Sequence, residues 1–420
     1  MIRAGVTVTL ALAAAAGTAP VGAQEVGSSP HPGDALRVYL VTFGVGDAVW
    51  EKFGHNAIRI VDEAAGTDIA WEWGIFDFRQ QDFIPRLMKG TMMYNMGGGA
   101  FAWNVERYRA FDRDAWSQEL NLTAAQKWAL QGRVLGNWSP NRGEYRYDYY
   151  RDNCSTRIRD HLDAVLDGRI RAATAPDTTA HGYRWHTRRL LRGDPWAYAG
   201  IQLVLGNRAE EPITSWDEMF LPLRLRDHLR SIRVLDDSGV EVPLVLEETR
   251  ILASSSRGPA PQAPPTAWPW FLLVGVVWGG LIVAASAGAP AGLAGRLATV
   301  AVAGGWSLLA GVGGAILLAA WALTDHVFWG WNENVAQVNP LSLLVGVGLL
   351  ALVARPAPPR WTRALARVVA LVSVLGLLLQ ALPGLDQVNG EILAAAVPPN
   401  LALAWAVGRR CRISGADGPR

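Results

Sequence analysis

An α+β domain followed by an all-helical membrane domain is the architecture this sequence predicts, and three observations predict it. Of the 76 Asp, Glu, Lys and Arg residues among 420, only 14 lie beyond residue 263, so a polar half is joined to an apolar half. The apolar half breaks into runs near the length of about 20 residues that crosses a hydrocarbon core. The polar half holds strand-like runs such as 53–61 beside stretches of helical periodicity such as 154–166. This division excludes a disordered chain, a coiled coil and a purely soluble protein. A net charge of +2 gives no reason to invoke nucleic acid. Two cysteines are too few for a disulfide-stapled fold.

The chain begins with Met1-Ile2-Arg3, an apolar run from Ala4 to Ala19, and Val21-Gly22-Ala23. A charged start, a short apolar core and small residues at a cleavage site read as an export signal over 1–23. No cysteine adjoins that site, so the protein is not itself a lipoprotein of the usual kind. Residues 24–256 are then the exported domain, and the Pro-rich segment 257–267 (RGPAPQAPPTA) is a linker. A membrane domain over 268–408 follows, with spans expected at about 268–288, 298–323, 339–354, 365–383 and 391–408. Residues 409–420 form a tail. Arg296, the group Arg355, Arg360, Arg363 and Arg367, and the group Arg409, Arg410 and Arg412 fall on one side of five spans. Asp325, Glu333, Asp386 and Glu391 fall on the other. Positive charge marks the cytoplasmic side, which leaves 24–267 outside, in agreement with the export signal. Trp268 and Trp270 stand where an interfacial aromatic belt is expected.

In this topology Cys411 is cytoplasmic and Cys154 is the lone cysteine of the exported domain. An unpaired thiol in an oxidising place is either reactive or a buried small hydrophobe. Its setting favours reactivity. Tyr147 to Asn153 reads as aromatic and extended, and Ile158, Leu162, Val165 and Leu166 recur at helical spacing. Asp152 or Asn153 is a natural N-cap, which puts Cys154 in the first turn. There the helix dipole and backbone N–H groups favour a thiolate and can bind an oxyanion.

Histidine is the usual base for such a nucleophile. His31 lies in a Pro/Gly segment, and His161 is about 10 Å along the same helix, at 1.5 Å per residue. His181 and His186 lie in an Arg-rich stretch expected to be solvated or to face lipid phosphates, and His228 is expected on an exposed helix face. His55 heads the strand-like run His55-Asn56-Ala57-Ile58-Arg59-Ile60-Val61, entered through Gly54. A strand histidine facing a helix-capping cysteine is the arrangement of papain-like thiol enzymes. A satisfied core histidine is the plain alternative.

Three segments occur together: FGHNAIRI (53–60) with WEWGIFDF (71–78), YRYDYYRDNCSTRIRD (145–160) and EMFLPLRL (218–225). They resemble the Lnb N-terminal periplasmic domain family over about residues 36–235. The trailing membrane domain is also similar to the family's, including Thr324-Asp325-His326 and Asn339-Pro340-Leu341, while Gly206-Asn207 departs from its pattern. The resemblance implies an acyltransferase that completes bacterial lipoproteins at the inner membrane. It also implies a fold similar to circularly permuted NlpC-type and lecithin:retinol acyltransferase-like domains, in which histidine precedes cysteine. By motif, His55 and Cys154 match the family's histidine and cysteine.

The implied partners are a phospholipid acyl donor and a diacylated lipoprotein acceptor, with a Cys154 thioester between them. Glu72, on the next strand, is the preferred orienting partner of His55, because Asn56 points to the opposite face. Asn153 and Ser155 adjoin the thiol and are candidates for orienting or oxyanion support. Met92, Met93 and Met96, beside a hinge at Gly97-Gly98-Gly99, are candidate acyl contacts, with core packing as the alternative. In the polar loop 324–339, His326 and Asn334 are candidate head-group contacts, with a solvated loop as the alternative. No cofactor is expected, and no zinc spacing or nucleotide loop stands out. The same Cys/His pair would serve a thiol peptidase or amidase of the cell wall, and a non-catalytic envelope membrane protein is the remaining alternative. Five spans are an unusual accessory for a soluble substrate.

Overall fold

The computed structural model describes residues 31–138, 143–287, 292–385 and 387–413. The expected export signal, Asp386 and the tail from residue 414 onward lie outside the described residues.

Strands β1 (Leu36–Phe43), β2 (His55–Asp62), β3 (Thr67–Ile75) and β4 (Met93–Ala100) follow one another, with α1 (Phe83–Lys89) between the last two. Next come α2 (Phe101–Ala110), β5 (Ala115–Leu120), α3 (Ala124–Asn137) and the two-residue β6 (Tyr145–Arg146). Six helices succeed them: α4 (Cys154–Val165), α5 (Arg169–Thr174), α6 (Tyr183–Leu190), α7 (Pro195–Val204), α8 (Ser215–Glu218) and α9 (Pro222–Leu229). A hairpin of β7 (Arg233–Leu235) and β8 (Glu241–Pro243) and a long β9 (Val245–Leu252) close the domain. Seven strands form one antiparallel sheet in the order β6-β4-β3-β2-β1-β5-β9.

Both faces of the sheet are covered, and the two-residue period of the strands divides the apolar residues between them. Val38, Leu40, Ile58, Ile60, Trp71 and Trp73 meet Ile158, Leu162 and Val165 of α4, with Leu130 and Val134 of α3 and Leu225 and Leu229 of α9. Tyr39, Val41, Phe43, Ala57 and Ala70 meet Phe101 and Tyr108 of α2. The expected glycine hinge is strand: Gly97, Gly98 and Gly99 pair with Glu72, Trp71 and Ala70. Met92 and Met96 are buried, and Met96 belongs to the core, so packing accounts for that methionine.

The C-terminal part is helical: α10 (Trp268–Ala287), α11 (Leu293–Thr299), α12 (Gly305–Leu323), α13 (Leu341–Leu350), α14 (Arg360–Leu379) and α15 (Gly390–Ile413). A π-helical stretch, Val300–Gly304, joins α11 to α12. Among the described residues, five segments are long and apolar enough to cross a membrane: Trp268–Ala287, Leu293–Leu323, Glu333–Val353, Arg360–Leu379 and Gly390–Arg412. Pro398 and Pro399 lie inside α15 without ending it.

The two parts are joined well beyond their linker. Asn334 is fully buried, and its amide donates to the carbonyls of Gln202 and Leu203, each at 2.9 Å. Asn332 donates to Leu203 O at 2.9 Å and Val204 O at 3.0 Å. Within the loop 324–339, Asn332 and Asn334 are therefore turned inward, their amides serving carbonyls at the end of α7, which need partners when buried. Glu391 at the start of α15 accepts from Arg188 at 2.6 Å, Tyr198 at 2.8 Å and Gln202 at 3.1 Å. Phe328 packs among Tyr150, Tyr183 and Phe220.

The Arg-rich stretch on α6 is likewise interior, contrary to its polar appearance. Arg184 and His186 are fully buried. Arg184 pairs with Glu210, and His186 lies 3.3 Å from Glu218. His228, expected on an exposed helix face, is only part-exposed and bonds Glu218 at 2.9 Å. Carboxylates from later in the chain pair with Arg184 and Arg188, and Glu218 bonds the two histidines, which makes the burial tolerable.

Candidate active site

His55 is the first residue of β2 and lies opposite Phe43 of β1. Gly54 delivers it: its φ of +85° is a left-handed conformation, and a Cβ there would come within 2.9 Å of Phe43 O. The pairing of Ala57 with Glu72 puts Glu72 on the same sheet face as His55, one diagonal away. His55 Nε2 is 3.3 Å from Glu72 Oε2, with the two side chains 19% and 11% exposed. Asn104 of α2, itself buried, adjoins Glu72 and helps to favour its carboxylate form.

Cys154 comes from the other face. Asn153 caps α4, its Oδ1 accepting from Ser155 N at 2.8 Å and Thr156 N at 3.0 Å. Its Nδ2 donates to Tyr149 O and Phe220 O, both at 3.0 Å. The Ser155 hydroxyl donates to Met219 O at 2.7 Å and accepts from Asn56 Nδ2 at 3.1 Å. Asn56, on the opposite face of β2 from His55, thus latches the mouth of α4 to the strand. Both Asn153 and Ser155 are committed to this seating, and the Ser155 N–H is already taken, so neither side chain is aimed at an oxyanion. The Cys154 N–H, one residue earlier, lies outside that capping pair.

A thiol on one face reaches a histidine on the other because Gly74 stands between them. The register places residue 74 level with His55, where β3 is irregular between Trp73 and Ile75. Gly74 has φ +86°, and a Cβ there would lie 3.5 Å from Cys154 Cβ and 3.6 Å from the Tyr147 ring. The His55 ring and the backbone N–H of Asn56 are the groups that act on the Cys154 thiol.

Burial opposes charge on Cys154, but the His55 charge, its hydrogen bond and the Asn56 N–H outweigh it, and the thiol sits below its ordinary pKa. Burial also opposes the imidazolium, yet Tyr108, Cys154 and Glu72 together hold His55 well above its ordinary value. Glu72 is pushed up by burial and pulled down further by His55, so it stays a carboxylate. The arrangement favours a thiolate–imidazolium pair beside a buried anion.

His161 is no rival base. Its ring lies tilted against Trp73, centroids 5.0 Å apart, and burial, with Arg133 and Arg157, lowers its pKa to about 4. His326 stacks on Trp329 at 4.0 Å and donates to Leu87 O at 3.0 Å. Met93 opens β4, Met92 just precedes it, and Met96 lies in the same core cluster as Cys154. Two cavities, of about 530 and 730 Å³, lie where the sheet domain meets the membrane loops, and Cys154 and His55 line neither. Three participants escaped the sequence reading: Asn104, Gly74 and the Asn56 N–H. A glycine inside the aromatic strand run WEWGIF was a legible sign of close approach; nothing in FAWNVERY marked Asn104.

Among the described residues, no group of three or more His, Cys, Asp and Glu is placed to hold a metal ion. No curated protein and no solved structure matches the chain. Residues 30–192, which carry His55, Glu72, Asn104 and Cys154, match the family model of the Lnb N-terminal periplasmic domain, and a helical region with five candidate membrane spans follows the matched segment.

Proposed function

We propose that this chain is a lipoprotein-processing enzyme of the bacterial inner membrane, an N-acyltransferase that works through a Cys154 thioester. The family match supports an envelope protein of lipoprotein maturation. The observation that carries the chemistry is the line of Cys154, His55 and Glu72 at the mouth of α4. The order of histidine before cysteine, on a sheet packed against the cysteine's helix, supports a permuted papain-like arrangement. With Nε2 turned to Glu72, Nδ1 is the nitrogen assigned to the thiol.

The Cys154 thiolate attacks the ester carbonyl of a phospholipid, forming a C–S bond, and the Cys154 N–H faces the oxyanion. As the C–O bond breaks, the His55 imidazolium gives its proton to the departing lysophospholipid alkoxide. The α-amine of a diacylglyceryl-cysteine lipoprotein then attacks the thioester. The C–N bond forms, the C–S bond breaks, and His55 takes the proton shed by nitrogen. Thiolate and imidazolium are restored. Glu72 orients the ring and balances its charge throughout, a role also found for the third member of other triads. Five apolar helices suit a reaction whose donor and acceptor are both lipid-anchored, because they confine the site to the substrates' own surface. The basic ends of those helices, taken as cytoplasmic, put the thiol on the periplasmic side.

The test is intact mass measurement of the protein incubated with phospholipid vesicles, beside Cys154→Ser and His55→Ala. A hydroxylamine-labile acyl group on Cys154, lost in both variants and discharged by a diacylated lipopeptide, is the expected result. No adduct, and no lysophospholipid even with the lipopeptide present, would sink the acyltransferase in favour of a thiol peptidase or amidase.

A further inference from the structure

The strand that supplies Glu72 runs on into an apolar outcrop that the catalytic geometry does not use. Tyr147, whose ring adjoins Gly74 and Cys154, stacks on Tyr94 with centroids 4.0 Å apart. Tyr94 meets Phe76 at 5.2 Å, Phe76 meets Phe78 at 4.9 Å, and Phe78 meets Phe83 of α1 at 5.3 Å. Trp50, next to the Gly54 turn, closes on Phe76 and Phe78 at 6.0 Å each. The rings form an unbroken file from beside the thiol to α1. Its outer members are uncovered: Phe78 is 60% and Trp50 59% exposed.

Helix α1 continues the outcrop. Ile84, Leu87 and Met88 share one helical face at i, i+3 and i+4, and all three are exposed. A seven-residue helix showing its apolar stripe outward would be a liability in water. Its position removes that objection. The residues just past α12 hold its C-terminus: Asp325 N donates to Lys89 O at 2.9 Å, and His326 donates to Leu87 O at 3.0 Å. Arg146 pairs with Asp325 at 3.1 Å. The helix is thus fixed at the end of a membrane-spanning segment, level with the exposed Leu323 and Trp321 of α12. Arg86 and Lys89 lie off the stripe, on the other side of the helix.

We propose that the α1 stripe sits in the outer leaflet of the bilayer, and that the file Phe83–Phe78–Phe76–Tyr94–Tyr147 is the track along which an acyl chain of a glycerophospholipid reaches Cys154. The path rests on the acyltransferase reading; the seating of α1 in lipid does not. The track replaces the methionines as the acyl surface. Met96 is core and Met92 is buried, whereas the aromatic file is open at its outer end and meets the thiol at its inner end. A flat run of ring faces accepts chains of differing length and unsaturation, since dispersion contact is not directional.

Two measurements test it on the full-length protein in nanodiscs of palmitoyl-oleoyl phosphatidylethanolamine and phosphatidylglycerol. In the first, Ile84 is replaced by p-benzoylphenylalanine and irradiated, and a phospholipid mass adduct is expected; absence of any lipid adduct overturns the seating. In the second, Cys154 acylation from the nanodisc lipid is compared with acylation by p-nitrophenyl butyrate, a soluble short-chain donor, in Phe78→Asp and Ile84→Asp. The preference for phospholipid over the soluble ester should fall at least about tenfold, roughly the loss of one well-buried apolar contact. An unchanged preference overturns the track. If the wild-type thiol is acylated by neither donor, the acyltransferase reading fails, and the adduct at position 84 still decides whether α1 lies in lipid.

Discussion

Glu72→Gln isolates the electrostatic part of the site, because it preserves shape while removing one charge. The carboxylate lies 3.3 Å from His55 Nε2. At an effective dielectric of about 20, two unit charges at that distance attract by about 5 kcal/mol, which bounds the effect from above. Much of that is spent on desolvating Glu72, which is largely buried. A charge-assisted hydrogen bond of this kind is worth about 1.5–3 kcal/mol net. At 1.36 kcal/mol per decade, the thiolate should react about ten- to a hundredfold more slowly near neutrality. The assay is the rate of Cys154 alkylation by iodoacetamide against pH, read by peptide mass so that Cys411 does not contribute. In the wild type the acid limb should lie below the ordinary thiol range, since the thiol pKa is lowered. In Glu72→Gln the imidazolium loses its counter-ion, so less of the ion pair survives near neutrality and the rate there should fall. A variant with the wild-type rate near neutrality would refute the assignment of Glu72 as the group that holds His55 charged.

His55→Ala should move the acid limb of the same profile up to the ordinary thiol pKa of about 8.5, and an unmoved limb would break the pairing. Gly74→Ala should destabilise the domain by about 1–2 kcal/mol, the cost of a left-handed L-residue, and shift the alkylation rate because its Cβ meets Cys154; thermal melting and alkylation together check this. Ser155→Ala should cost about 1–3 kcal/mol by leaving Asn56 Nδ2 and Met219 O without their buried partner, seen as a lower melting temperature. Burial keeps His186 below its ordinary pKa, so the unfolded chain takes up a proton below about pH 6.5 that the folded one refuses. Stability should therefore fall as pH falls through that range, and His186→Gln should flatten the melting temperature between pH 7 and 5.

The cysteine and its cap were legible in sequence because a helix start is a local event: Asn153, the apolar spacing after it and the aromatic run before it all lie within a few residues. His55 was legible for the same reason, with Gly54 as its marker. The partners across the sheet were harder. Glu72 could be chosen by strand parity, but Asn104 depends on how α2 crosses beneath β3, and no short-range pattern encodes a crossing. The basic residues of α6 misled for the same cause. Arg184, His186 and Arg188 look solvated until Glu210, Glu218 and Glu391 arrive from up to some two hundred positions away. The glycine run at 97–99 resembled a hinge, yet it is strand, and two of its positions are closed by neighbours: a Cβ would come within 2.5 Å of the Trp71 ring at Gly98 and 2.6 Å of Ile75 Cδ1 at Gly97.

The join between the two parts bears on biosynthesis. Glu391 opens the last helix, but its carboxylate is the partner of Arg188, Tyr198 and Gln202 in the sheet domain. An exported chain reaches those three residues some two hundred positions before it reaches their acid. Until the final helix is inserted, the membrane-side face of the domain carries an arginine without its carboxylate. Completion of the fold thus becomes a checkpoint on membrane insertion, and a chain truncated before residue 391 should be recognised by proteases as unfinished. The same stitching implies that a nick in the linker would not free the domain. Arg189 holds Pro261 O at 2.7 Å, and the contacts at Asn332, Asn334 and Glu391 span the cut.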